Sequence, residues 1–241
     1  MSDILEELSQ KRREDVPHVP DFASAFAGPG IHVIAELKKA SPSEGLIRAD
    51  FEPVRLAREL EGAGAAALSV LCEPHRFLGG EVYLRAAREA VRIPVLYKDF
   101  VTTPYQVAAA RAVGASAVLL IAAVLGDERL ARLLELAHDL GFSALVETHD
   151  EHEVDRAVAA GARIIGVNCR DLRTFRTDPS ITARLIGRIP SDRVRIAESG
   201  IRTADDVRML HDAGANGFLI GTTLMRAERP GEKLRELKGE K

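Results

Sequence analysis

Glu36 and Lys38 stand two residues apart where the apolar run His32–Leu37 ends. Alternate side chains of an extended strand share a face, so this spacing aims a carboxylate and an ammonium in one direction. Similar endings recur down the chain: Tyr97-Lys98-Asp99, Val146-Glu147, Asn168-Cys169-Arg170 and Ala197-Glu198-Ser199 each close a short apolar segment. If these segments end on one side of a sheet, two lysines, three glutamates, an asparagine and an arginine converge on one cavity. Charges gathered where water is scarce are costly unless they pair or move protons. The set reads either as a cavity for general acid–base catalysis or as a ring of ion pairs plugging the end of the sheet.

The elements that must position these groups follow from hydrophobic patterning. Eight apolar runs, His32–Leu37, Ala66–Leu71, Ile93–Tyr97, Ala117–Ala122, Ser143–Val146, Arg163–Val167, Val194–Ala197 and Gly217–Ile220, are short and continuous, as strands buried on both faces are. Helix patterns alternate with them over Pro53–Gly62, Gly80–Val91, Pro104–Val113, Glu128–Leu140, Glu151–Ala160 and Thr203–Ala213. Gly64, Gly114, Gly141, Gly161 and Gly214 each follow a last apolar helical position, where a left-handed stop is expected. Setting aside a leader of about 30 residues, the chain allots about 26 residues to each strand–helix unit, the proportions of a (β/α)8 TIM barrel. An open doubly wound sheet is the alternative, but it more often stops at five or six strands. The expected organisation is an N-terminal helical extension over residues 1–30, with an amphipathic helix over Asp3–Glu14, and a barrel over residues 31–241.

In a barrel of this kind the loops after the seventh and eighth strands commonly hold phosphate. Here they read Ser199-Gly200-Ile201 and Gly221-Thr222-Thr223, small residues that let backbone N–H groups approach an anion. Two ordinary turns, with Thr203 capping the next helix, are the plainer reading. The loop Ala40–Gly45 directly follows the Glu36/Lys38 pair and has the composition of a mobile lid. Gly62 and Gly64 mimic a dinucleotide fingerprint but precede a strand, which argues against nucleotide binding. His149 and His152 flank a helix start and read as exposed helix-terminal residues rather than metal ligands. Cys169 alternates with Asn168 and Arg170, so it faces the helices as a small buried filler.

Composition narrows the function classes. The 241 residues carry 33 Lys+Arg against 36 Asp+Glu, a net charge of −3 that gives no pull toward nucleic acid or anionic membrane. Two cysteines cannot make a disulfide framework, and no apolar run reaches the ~18–20 residues of a membrane span. A cytoplasmic enzyme is the expectation.

Seven segments together carry a resemblance: VIAELKKASPSEGL over 33–46, SVLCEPHRFLGG over 69–80, PVLYKDFV over 94–101, ALVETHDEHE over 144–153, IGVNCRDLRTF over 165–175, IAESGI over 196–201 and FLIGTTLM over 218–225. In this order they resemble the indole-3-glycerol-phosphate synthase family of (β/α)8 lyases. The resemblance implies a phosphorylated small-molecule substrate, 1-(2-carboxyphenylamino)-1-deoxyribulose 5-phosphate, closed to an indole with loss of carbon dioxide and water. It implies no metal and no organic cofactor, and a monomer or weak homo-oligomer. By match to the family motifs, Lys98 is the general acid, Glu147 the base, and Lys38 a second acid or electrostatic partner oriented by Glu36. Asn168 and Glu198 hold substrate hydroxyls, Ser41 and Arg170 its anionic groups, and Ser199, Gly200, Gly221 and Thr222 its phosphate.

Tyr97 stands where many relatives carry arginine, Thr222 where serine is common, and the leader is shorter than usual. Two competing functions are a sugar-phosphate isomerase of the same fold, which calls for an acidic or cysteine pair, and a barrel kept only for binding. The latter predicts loss of a proton-transfer residue, whereas Lys38, Lys98 and Glu147 are all present.

Overall fold

The computed structural model describes residues 19–168 and 179–240; the expected leader helix over Asp3–Glu14, Cys169 and Arg170 lie outside the described residues. Eight short parallel strands, β1 (His32–Leu37), β2 (Ala67–Leu71), β3 (Val95–Lys98), β4 (Ala117–Ile121), β5 (Ser143–Thr148), β6 (Ile164–Asn168), β7 (Val194–Glu198) and β8 (Gly217–Ile220), close into a barrel in which β8 pairs with β1. Helices follow the strands: α1 (Pro53–Gly62), α2 (Glu81–Ala90), α3 (Pro104–Ala112), α4 (Asp127–Asp139), α5 (Glu151–Ala159), α6 (Pro179–Arg188), α7 (Ala204–Asp212), the short α8 (Thr222–Arg226) and α9 (Pro230–Lys238). This is the (β/α)8 barrel expected from the alternation. None of the helices described is long and apolar enough to cross a membrane.

The helix stops are where the glycines place them. Gly114, at φ +88°, ends α3 in the left-handed region, and Gly64, Gly141, Gly161 and Gly214 end their helices the same way. Thr203 caps α7 in a reciprocal capping box with Asp206, and Thr103 caps α3 with Gln106. The strands run one or two residues past several expected ends, so that Lys98, Glu147, Asn168 and Glu198 are themselves paired strand residues. Charged side chains masked those ends in an apolar pattern. The structure also adds α6 and a small antiparallel ladder between Ala40–Ser41 and Gly45–Leu46.

Strand alternation splits the core in two. Val33, Ala35 and Leu37 of β1 face the helices, with Val95, Tyr97, Val146 and Val167 among their company. Ile34, Leu96, Leu119, Leu145, Ile164, Ile196 and Leu219 face the barrel axis. The axial cluster is closed at the strand N-termini by Phe22 and Phe26, whose rings meet edge-on at 5.3 Å beside the 3-10 turn Ala23–Phe26. β8 opens with Gly217 because the Phe26 ring takes its side-chain space: a Cβ there would lie 2.8 Å from Phe26 Cδ1. The described part of the leader therefore stoppers the bottom of the barrel and leaves the opposite mouth to chemistry.

Candidate active site

Each inward set is apolar at its start and charged or polar at its end. Two residues beyond Ile34 comes Glu36, beyond Leu96 comes Lys98, beyond Leu145 comes Glu147, and beyond Ile196 comes Glu198. Register brings these ends level, with Glu147 opposite Gly166 and Asn168 opposite Glu198. The result is a ring of ionisable groups above a hydrophobic floor, with Glu36, Glu147 and Glu198 all buried.

The ring contains two linked groups. Lys38 Nζ lies 2.7 Å from Glu36 Oε1. Lys98 Nζ donates to Glu147 Oε2 at 2.9 Å and to Glu198 Oε2 at 3.2 Å, and Asn168 Nδ2 donates to Glu147 Oε1 at 3.2 Å. Burial alone would lower Lys98, but Glu147, Glu198 and Glu36 outweigh it and hold its ammonium above the ordinary lysine range. Burial pulls Glu147 upward, yet Lys98 and His149 hold its carboxyl below the usual carboxylate range. Glu198 goes the other way: burial, reinforced by the Glu147 charge against the pull of Lys98, pushes it up to about 8. Neighbouring carboxyls driven apart in this way provide one ionised and one protonated group at neutral pH.

Gly221 sits against the first pair. A side chain there would collide with Glu36 Oε1 and bring its Cβ within 3.0 Å of Lys38 Nζ. Ser199 and Gly200 leave β7 at φ +62° and +74°, and Ser199 and Leu78 are the only non-glycine residues described with positive φ. Thr223 Oγ1 donates to the Ile201 carbonyl at 2.6 Å, which ties this loop to α8 and leaves Thr222 as the residue that opens α8. Ser41 is buried in the small ladder, whose Ala40 N–H donates to the Phe77 carbonyl at 3.2 Å. Glu44 of that loop pairs with Arg226 of α8. Arg170 lies outside the described residues.

Two features were not singled out by sequence. Phe77 and Phe100 form an aromatic pair with ring centroids 6.4 Å apart, and Phe100 is half exposed, two residues beyond Lys98. Gln106, the capping-box partner of Thr103, fixes that loop by donating to the Phe100 carbonyl at 3.0 Å. His149 departs from the expected exposed helix-terminal role: its ring is largely buried, with Nε2 3.3 Å from Glu147 Oε1. The reason is the same two-residue alternation that pairs Glu36 with Lys38. His152 turns to solvent, and no group of three or more His, Cys, Asp or Glu among the described residues is arranged to hold a metal ion. Tyr97 points outward as expected, its hydroxyl donating to Glu81 Oε1 at 3.0 Å.

The sequence matches proteins already known. The sequence model of a family described as indole-3-glycerol phosphate synthase matches residues 3–237. Indole-3-glycerol phosphate synthase 2 of Streptomyces coelicolor is 50% identical over 223 residues, covering 92% of this chain and 86% of the relative. The indole-3-glycerol phosphate synthase of Acetivibrio thermocellus is 45% identical over 236 residues, covering 97% and 91%. Among solved structures, 3-hexulose-6-phosphate synthase from Salmonella typhimurium superposes with a TM-score of 0.69 at 15% identity, covering 86% of this chain and 97% of that one, a likeness of fold alone.

Proposed function

The chain belongs to the indole-3-glycerol phosphate synthase family, and from that premise we propose how its own side chains divide the work. The reaction is the ring closure of 1-(2-carboxyphenylamino)-1-deoxyribulose 5-phosphate to indole-3-glycerol phosphate, a carboxy-lyase step of tryptophan biosynthesis. The anthranilate ring carbon bonds to the ribulose carbonyl carbon, and the carbonyl oxygen takes a proton. The bond to the carboxylate then breaks, releasing carbon dioxide and returning its electrons to the ring. Finally the new hydroxyl leaves as water with a second proton, and one proton departs from the CH2–NH unit. Two protons enter and one leaves, so each turnover draws one from solvent.

Lys98 gives the first proton. Although its ammonium is held above the ordinary lysine range, a developing alkoxide is more basic still, so transfer runs downhill. Donation also changes its neighbour. Once Lys98 is neutral, Glu147 loses the cation that most strongly depresses it, and burial then makes it a stronger base for the later proton. Lys38, oriented by Glu36 at 2.7 Å, is the second acid or the electrostatic partner of the leaving hydroxyl. Asn168 and a protonated Glu198 hold substrate hydroxyls. Ser41 and Arg170 take the anionic groups, Ser199, Gly200, Gly221 and Thr222 the phosphate, and Phe77 with Phe100 the anthranilate ring. The observation that carries this assignment is the one ammonium shared by two buried carboxyl groups, at 2.9 and 3.2 Å.

The reading extends to a cytoplasmic protein working as a monomer or weak homo-oligomer on a free small molecule, without nucleic acid. The near-balanced charge of −3 supports it. The test mixes purified protein with the substrate and a chelator and follows indole fluorescence. Rising fluorescence with carbon dioxide release is the expected result. Tight binding without turnover would instead mark a barrel retained for binding.

A further inference from the structure

Lys98 touches both Glu147 and Glu198, and a difference of 2.9 against 3.2 Å does little to decide which carboxylate keeps its charge. Glu147 has further donors among the described residues. Asn168 and His149 both face Glu147 Oε1, at 3.2 and 3.3 Å. His149 is itself held from behind: its Nδ1 lies 3.0 Å from Glu153 Oε2, the oxygen that also accepts the His149 backbone N–H at 2.8 Å. Glu153 is in turn fixed in the first turn of α5, where its N–H donates to Asp150 Oδ1 at 2.8 Å. An ionised carboxylate only accepts hydrogen bonds, so a ring with a carboxylate at each nitrogen is best satisfied as imidazolium.

We propose that the Glu153–His149 pair is a positioning device for Glu147, presenting a fixed positive edge to one of its oxygens and holding it ionised beside Lys98. This rests on the assignment of Glu147 as the base. The charged groups that bear on the His149 ring are Glu147 from β5 and Glu153 from α5, with Lys98 of β3 and Glu198 of β7 reached through Glu147. Burial works against a charged ring, but the two carboxylates override it and raise His149 to about 10. When Lys98 gives up its proton, His149 is the cation left on Glu147, and it keeps that carboxylate open for the substrate's proton. Its donor geometry is off the line of a good hydrogen bond, so charge and orientation matter more than bond strength.

The test compares kcat and KM against pH for the wild-type chain, His149→Leu, His149→Gln and Glu153→Gln. For His149→Leu the acid limb of kcat is expected to rise by about one to three pH units, with KM changing far less. Glu153→Gln should move the limb the same way by less. His149→Gln, which restores an uncharged donor, should recover part of kcat but not the position of the limb. In a Glu147→Gln background, His149→Leu should add little further loss. An unmoved limb in both His149→Leu and Glu153→Gln, or a full additional loss in the Glu147→Gln background, would overturn the device. If Glu147→Gln alone turns over like wild type, the base assignment fails first and the device with it. If Glu147→Gln is slow while the His149 and Glu153 variants are silent, only the device fails.

Discussion

Glu198 fills the space that a side chain on Gly166 would need. Gly166 pairs with Ile196 across β6–β7, two residues before Glu198, and a Cβ on Gly166 would run into Glu198 Oε1 while meeting Leu145 Cδ1 at 3.3 Å. A glycine in mid-strand weakens the strand, so its presence here marks the close approach of another group. Gly166→Ala should displace the Glu198 carboxylate from Lys98, cost roughly 1–3 kcal/mol through overpacking, and lower kcat by about tenfold or more. Thermal melts and steady-state kinetics read the two effects separately. A double variant with Glu198→Ala should regain stability without regaining activity, since room returns but the carboxyl does not. An alanine variant with wild-type kcat would show that Glu198 need not hold this position.

Removing the cation is a sharper change. Lys98→Ala leaves Glu147 and Glu198 facing each other without the ammonium that separates them, with the proton already carried by Glu198 lying between the two. They are expected to share a proton, so that the fold survives, with a circular dichroism spectrum like that of wild type. Turnover should fall by at least ~10²–10⁴-fold because the proposed general acid is gone. A loss of only a few-fold would take Lys98 out of the chemistry.

The pH dependence of kcat/KM has a sign fixed by Glu198. Its carboxyl is pushed up to about 8, so it is neutral below that pH and negative above it. The substrate brings a carboxylate and a phosphate, and a new negative charge at the floor of the site repels both. The expected profile declines as pH rises through about 8. Glu198→Gln, neutral throughout, should flatten that limb while losing some activity at neutral pH. A wild-type profile that stays flat through this range would place the Glu198 charge elsewhere in the cycle.

Much of this was legible from residue spacing, and what escaped has a physical reason. The eight strands, the glycine stops and the inward aim of Glu36 and Lys38 follow from local periodicity, because the barrel uses that periodicity directly. His149 was legible by the same rule, two residues beyond Glu147, but its place at a helix entry suggested solvent. The alternation in fact carries on past the strand end, and the helix begins only at Glu151. The Phe26 stopper was invisible because it depends on Gly217, which is distant in sequence and adjacent in space. The charge state of Glu147 was also beyond reach, since it depends on how Lys98, Asn168 and His149, from three different segments, meet its oxygens.

Phe100 offers a test of binding apart from chemistry. It sits at the mouth, half exposed and paired with Phe77, and touches none of the proton-transfer groups by hydrogen bond. Packing against the substrate's aromatic ring would bury it in both ground and transition states. Phe100→Ala should therefore raise KM by roughly tenfold, the scale of one aromatic contact, and leave kcat within a few-fold. A selective loss of kcat would mean that the ring orients the reacting carbon rather than simply holding it.

The opposite end of the barrel should separate stability from catalysis. Phe26 is buried against Phe22, Gly217 and the axial residues, far along the strands from the charged ring. Phe26→Ala opens a cavity in a packed floor and should cost about 3–5 kcal/mol of unfolding free energy, read as a lower urea midpoint. The fraction that remains folded should keep kcat near the wild-type value, because the geometry at the strand C-termini does not pass through this aromatic plug. A matching loss of kcat in fully folded protein would mean that the stopper sets the register of the strand ends. Glu36 and Gly221 would feel that shift first, since β8 begins at the glycine that Phe26 covers and runs directly to the one that Glu36 covers.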